Sequence, residues 1–128
     1  MSAGERMAGR RSMGEVYARV NLVGPAGRKR LRLLVDTGST YSWVREDRLR
    51  DLGIRPVDEY AFDTVQELEV ARPIGEGVVE YGGDARTTVV VFARRGDGEV
   101  LGLHALEGLA LEVDPANRKL RRRRHLRA

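Results

Sequence analysis

The segment Leu33–Val44 (LLVDTGSTYSWV) holds one carboxylate, Asp36, at the end of an apolar run and directly before Thr37-Gly38-Ser39. An Asp in that position has two uses. Its oxygen can accept backbone N–H groups in an Asx-turn, a purely structural role. It can also act as a general base that takes a proton from water, and this needs a second acid to polarise the bond being cut. Ser39 with His104 could form a nucleophile and base. However, Ser39 is not in a Gly-x-Ser-x-Gly elbow, and His104 falls on a helix expected to pack against the core. His104 and His125 lack metal-ligand spacing, and the chain has no Cys to supply thiolate ligands, disulfides or a Cys nucleophile. No metal or cofactor is expected.

The elements around Asp36 follow from residue spacing. Val16, Ala18, Val20 and Leu22 alternate as in a half-buried strand, and Gly24-Pro25-Ala26-Gly27 makes a turn. Arg30–Val35 returns as the second strand of a hairpin, with Arg28, Arg30 and Arg32 on its outer face, and leads into Asp36. Tyr41–Arg45 is short and partly apolar. Glu46–Leu52 reads as a short helix stopped by Gly53. Residues 55–72 suggest an extended, exposed hairpin from Val65, Leu68 and Val70. Ile74, Val78 and Val79 mark a strand ahead of a Gly82-Gly83 turn, and the unbroken apolar run in Thr87–Ala93 implies burial on both faces. Arg95-Gly96-Asp97-Gly98 reads as a hairpin turn, with the strand resuming at Glu99–Leu101. Leu103–Gly108 is a short helix with Leu103 and Leu106 on one face, Leu109–Val113 a strand, and Asp114-Pro115-Ala116-Asn117 a turn. The result is mainly β with two short helices, and the lack of βαβ alternation disfavours a parallel α/β fold.

At 128 residues, the chain is the size of one domain with one core. Aromatic residues are 5% of the chain, so Val, Leu, Ile and Ala must fill that core. No apolar run approaches the ~20 residues of a membrane span, and the N-terminal MSAGERMAGRRSMGE has no apolar segment like that of a secretory signal. No membrane contact is expected, and the cytoplasm is the default compartment. The charge is uneven. Residues 118–128 carry 7 basic and no acidic residues, leaving 16 basic against 19 acidic, a body of net −3. The chain divides into a flexible segment 1–14, a domain 15–120 and a basic tail 121–128. A like-charge tail is commonly a solvated end, and its sharper use is contact with nucleic acid or another anionic surface through Arg121–Arg127.

The longer string Leu34-Val35-Asp36-Thr37-Gly38-Ser39, with Trp43-Val44 after it, resembles the active-site loop of aspartic proteases. Val100-Leu101-Gly102 ahead of a short helix resembles the second loop of that family. The stretch LGLHALEGLALEVDPANRKL is similar to the C-terminal half of small retropepsin-like proteases of prokaryotes, with Gly108, Leu109, Val113, Asp114, Pro115 and Leu120 at the matching positions. The resemblance spans about residues 15–120. It implies a closed β-barrel of the retropepsin-like acid protease type, with a flap hairpin and one or two short helices.

It also implies an aspartic endopeptidase. One Asp-Thr-Gly supplies half of a catalytic pair, so the site closes when Asp36 meets its copy across a homodimer. Carboxylates about 3 Å apart repel by about 5 kcal/mol at an effective dielectric of ~20, so the pair shares one proton. The ionised member activates water and the protonated member polarises the scissile carbonyl of a peptide or protein substrate. Thr37 would brace the partner loop, Gly38 would allow close backbone approach, and Ser39 would donate to the outer carboxylate oxygen. Leu101 and Gly102 would support the loop from behind. Tyr60–Ile74 would be the flap, with Val65, Gln66, Glu67 and Leu68 at its tip, although this region lacks the Gly common in the family. The rival expectation is a catalytically weak or inactive dimeric binding module that uses its Arg-rich tail.

Overall fold

The computed structural model describes residues 15–64 and 66–128. The segment 1–14 and the flap position Val65 lie outside the described residues. Among the described residues, nine strands and two short helices follow in the order β1 (Tyr17–Gly24), β2 (Gly27–Asp36), β3 (Ser42–Arg45), α1 (Glu46–Asp51), β4 (Asp58–Asp63), β5 (Glu69–Tyr81), β6 (Asp84–Ala93), β7 (Val100–Gly102), α2 (Leu103–Gly108), β8 (Leu111–Asp114) and β9 (Lys119–Arg122). Six of the strands form a closed ring, β1-β2-β7-β3-β6-β5, sealed where Asn21, Leu22 and Val23 pair with Glu80, Val79 and Val78. The protein is a mainly β, closed barrel.

Alternation explains the barrel wall. Ala18, Val20 and Leu22 of β1 and Leu31, Leu33 and Val35 of β2 point inward and join Val44, Val90, Phe92, Leu101 and Leu106 in one core. Strand β6 is buried on both faces in its second half, as its apolar run predicts. Val90 and Phe92 face the barrel interior. Val91 and Ala93 belong to a second cluster with Leu34, Trp43, Ile74 and Val100. Phe62 and Val70 of the β4–β5 hairpin cover that second cluster.

β5 is long because it has two uses. Glu69–Ile74 pairs with β4 as the expected exposed hairpin, and Ile74–Tyr81 pairs with β6 inside the barrel. Gly75 and Gly77 sit at the changeover. A Cβ on Gly75 would lie 2.8 Å from the Arg55 carbonyl oxygen, so the chain leaving α1 can cross β5 only over bare backbone.

No parallel α/β fold forms, although two strand pairs are parallel: β2 with β7, and β3 with β6. These pairs arise without βαβ units because β7 slots between β2 and β3. Several expectations need correction. Asp97-Gly98 is not a hairpin turn, since β6 and β7 do not pair with each other and β3 lies between them. In α2 the buried residues are Ala105 and Leu106, while Leu103 is 38% exposed. His104 is exposed, while its helix packs against the core through Ala105 and Leu106 as expected. Residues 109–110 form a turn, with Ala110 at φ 54°, so the strand starts at Leu111. The basic tail does not begin as a free end. Arg121 and Arg122 belong to β9, paired with Glu112 and Leu111 of β8, and Leu120 is buried.

Candidate active site

Asp36 is the last residue of β2, and its position follows from its neighbours. The buried Leu33-Leu34-Val35 run fixes the strand, and Asp36 pairs across to Gly102 of β7. The chain then turns back, with Ser39 N–H donating to the Asp36 carbonyl at 3.1 Å. Gly38 N–H donates to Asp36 Oδ1 at 2.9 Å, which is the Asx-turn bond expected of an Asp before Thr-Gly. Asp36 is 2% exposed, while Thr37, Gly38 and Thr40 form an exposed rim around it.

The loop is clamped by the start of α2. Leu103 N–H donates to the Ser39 carbonyl at 2.8 Å, and His104 N–H donates to the Thr40 carbonyl at 2.9 Å. These are among the first N–H groups of a helix, which have no partner inside it. Gly102 N–H donates to the buried Ser42 Oγ at 3.0 Å. Gly102 packs flat against the loop, leaving no room for a side chain there. Leu101 points into the main core. Asp36, Gly38, Ser39, Leu101 and Gly102 are thus brought together. Ser39 departs from expectation. Its hydroxyl donates to the Tyr41 carbonyl at 2.8 Å. A hydroxyl has one proton, so this bond replaces donation to the Asp36 carboxylate.

Beside the loop lies a groove of about 320 Å³, with Gly38–Tyr41 and Trp43 on one side and Ala61, Phe62, Asp63 and Thr64 on the other. The hairpin therefore faces the Asp36 loop, as a flap would. Its alternate residues Tyr60 and Phe62 reach the loop aromatics: the Tyr60 and Tyr41 ring centroids are 6.3 Å apart, and Phe62 meets Trp43 edge-on at 5.1 Å. Trp43 is 2% exposed, so it is a core anchor. His104 extends the row, edge-on to Tyr41 at 5.7 Å. The Tyr60-x-Phe62 alternation was the available signal for this contact.

At the hairpin tip, Thr64 does the work expected of a glycine-containing turn. Its N–H and carbonyl bond Leu68 and Glu67, and its Oγ1 accepts Leu68 N–H at 3.2 Å. Glu67 takes the left-handed conformation at φ 60°, where Gly would be favoured. The tip residues Gln66, Glu67 and Leu68 are exposed and do not line the groove; Leu68 is 55% exposed. The base of the hairpin is held by Arg72. Its Nε and Nη2 donate to Asp97 at 2.7 and 3.0 Å, with both side chains largely buried. This charge-assisted bond raises the Arg72 pKa further above its ordinary value.

No family model matches the chain, and no curated protein or solved structure is detectably similar to it.

Proposed function

We propose that this chain is a retropepsin-like aspartic endopeptidase that acts as a two-fold dimer. The observation that carries the proposal is the clamped Asp36 loop facing the β4–β5 hairpin across an aromatic-lined groove. In this reading the Asp36 carboxyls of two chains share one proton. The ionised carboxylate takes a proton from water, and the resulting hydroxide equivalent attacks the peptide carbonyl that the protonated partner polarises. The tetrahedral species collapses with proton delivery to the leaving amine, which restores the shared proton.

The exposed Thr37 and Gly38 are the part of the loop that a second chain would meet. At 2% exposure in the single chain, Asp36 is reached by water and peptide only after a rearrangement, which dimer formation supplies in this reading. The groove sets Tyr41 and Phe62 beside the polar Thr40, Asp63 and Thr64, a lining that suits a peptide with both apolar and polar side chains near the cleavage point.

The test is a peptide-library cleavage screen, comparing wild type with Asp36→Asn at a range of protein concentrations. Asn keeps an acceptor for Gly38 N–H, so the loop keeps its shape. The expected result is cleavage whose specific rate rises with dimer formation, is blocked by a statine-type transition-state mimic, and falls at least about 10³-fold in the variant. Cleavage equal in both proteins, or none from a verified dimer across acid to neutral pH, overturns the proposal.

A further inference from the structure

A second groove, of about 540 Å³, shares no residue with the one beside Asp36. It is lined by Arg19, Asn21, Arg28, Arg30 and the β5–β6 turn Glu80–Ala85. The outer face of the β1–β2 hairpin forms one wall. On that face Arg28, Arg30 and Arg32 are successive outward residues of β2, spaced by about 6.6 Å per pair of residues. Arg19 of β1 lies directly opposite Arg32. Like charges placed opposite each other across two strands destabilise a sheet. Among the described residues, no carboxylate lies within 4 Å of Arg19, Arg30 or Arg32. Arg32 instead lies over the Tyr17 ring, 3.8 Å from its centroid, and Arg28 holds Glu80 at 3.1 Å.

The other wall leaves the arginines accessible. Gly82 and Gly83 both have positive φ, the conformation of a tight two-residue hairpin turn, and nothing lies within 4 Å of either Cβ position. The next residue, Asp84, is bonded by Arg122 of β9. The groove therefore adjoins the basic end of the chain, where a cavity of about 480 Å³ is lined by Glu112, Arg121–Arg124 and His125. A body that is net acidic outside residues 118–128 thus concentrates unpaired arginines on one face, next to its basic tail.

We propose that this face binds the phosphodiester backbone of a single-stranded nucleic acid, at a site separate from Asp36. The regular pitch of guanidinium groups along β2 matches a ligand with regularly repeated anions. Each guanidinium fork fits a phosphate. The groove lining is polar and lacks the apolar side chains with which a membrane-binding surface inserts. Tyr81 also borders the groove, but its ring packs against the main core, so the contacts expected here are to phosphates rather than to bases.

The test is fluorescence-anisotropy binding of an oligonucleotide of about 15 residues to the full chain across a salt series. Four phosphate contacts predict a log–log salt slope of about −3, or about 50-fold weaker binding at 200 mM than at 50 mM salt. Arg19→Gln/Arg30→Gln should cut the slope by about half, weaken binding about tenfold, and not lower the unfolding midpoint, since it removes repulsion. Asp36→Asn should bind like wild type. Four outcomes overturn the proposal: no binding at 50 mM salt; equal binding of polyglutamate or of anionic vesicles; tighter binding of a duplex; or affinity that survives the double substitution and disappears only with Arg122→Gln/Arg124→Gln.

Discussion

A Cβ placed on Gly102 would stand 2.3 Å from the Tyr41 carbonyl oxygen and 2.9 Å from that of Ser39. Gly102 has an ordinary φ of −91°, so space, not backbone conformation, requires a glycine there. The contact joins the two motifs of the candidate site, because the loop after Asp36 can lie against β7 only where β7 has no side chain. Gly102→Ala is expected to cost about 3 kcal/mol in urea unfolding and to disturb the loop around Asp36. Gly108→Ala is the control. Its Cβ would meet Arg86 at an ordinary 3.8 Å, and Ala at the end of α2 should add about 0.5–1 kcal/mol. Equal effects from the two substitutions would mean that the close approach is not what fixes the loop.

Arg72 and Asp97 predict how firmly the hairpin is anchored. Arg72 lies on β5, and Asp97 lies in the β6–β7 connection, where its Oδ2 also accepts Arg94 N–H at 2.8 Å. Asp97→Ala leaves a largely buried guanidinium unpaired and should cost about 3 kcal/mol. Arg72→Lys should recover little, since an ammonium cannot supply the two-pronged bond. Removing both residues should cost clearly less than the sum of the single losses. Additive losses in a double-mutant cycle would show that the two side chains act separately.

The strands at Val16–Leu22 and Leu31–Val35 were legible from alternation, because a strand with one wet face writes its pattern in every second residue, and Thr87–Ala93 was legible from its unbroken apolar run. The pairing of those strands was not legible. β7 is three residues long, and its place between β2 and β3 is decided by Gly102 and the clamped loop, which are contacts distant in sequence. The Asp-Gly at 97–98 misled for a related reason: Asp97 is held by Arg72, 25 residues away, so its turn serves the hairpin base. The Asp36–Gly38 bond was visible in the local string. The Ser39 hydroxyl was not, because its acceptor depends on how Tyr41 is drawn back toward β3. At the C-terminus, charge density suggested a solvated end from Arg121, but the Glu112 and Asp84 carboxylates hold Arg121 and Arg122 in place.

Trp43 is the chain's single tryptophan, and its ring meets Phe62 of the hairpin edge-on, so its emission reports hairpin closure. Phe62→Ala removes an aromatic contact and half-buried area, a loss of about 2 kcal/mol. It also lets water reach the indole. Emission should move to the red in the folded variant, and quenching by acrylamide should rise. Unchanged emission and quenching would mean that Trp43 is sealed by the barrel core alone and that the hairpin is not its cover.

The β8–β9 hairpin should fail in acid. Asp114 is buried at the turn, with its Oδ2 accepting Asn117 Nδ2 at 2.8 Å and its Oδ1 accepting Asn117 N–H at 3.3 Å. The bond from the Asn117 side chain, opposed by burial and aided by the Asn117 N–H, holds the Asp114 carboxyl below its ordinary value. The bond from Arg122 does the same for Asp84. A carboxyl with a lowered folded pKa binds its proton more readily in the unfolded chain, so protons favour unfolding. The stabilisation is complete above the ordinary Asp value of about 3.9 and disappears as pH falls through the lower folded value. Asp114→Ala should therefore be less stable than wild type near pH 6, and the gap should narrow as pH falls below the ordinary Asp value of about 3.9. Arg121–Arg123 should lose hydrogen-exchange protection over the same window, because Asp114 fixes the turn that holds β9 against β8. A gap that stays constant down to the acid limit would assign the Asp114 effect to turn geometry rather than to its charge.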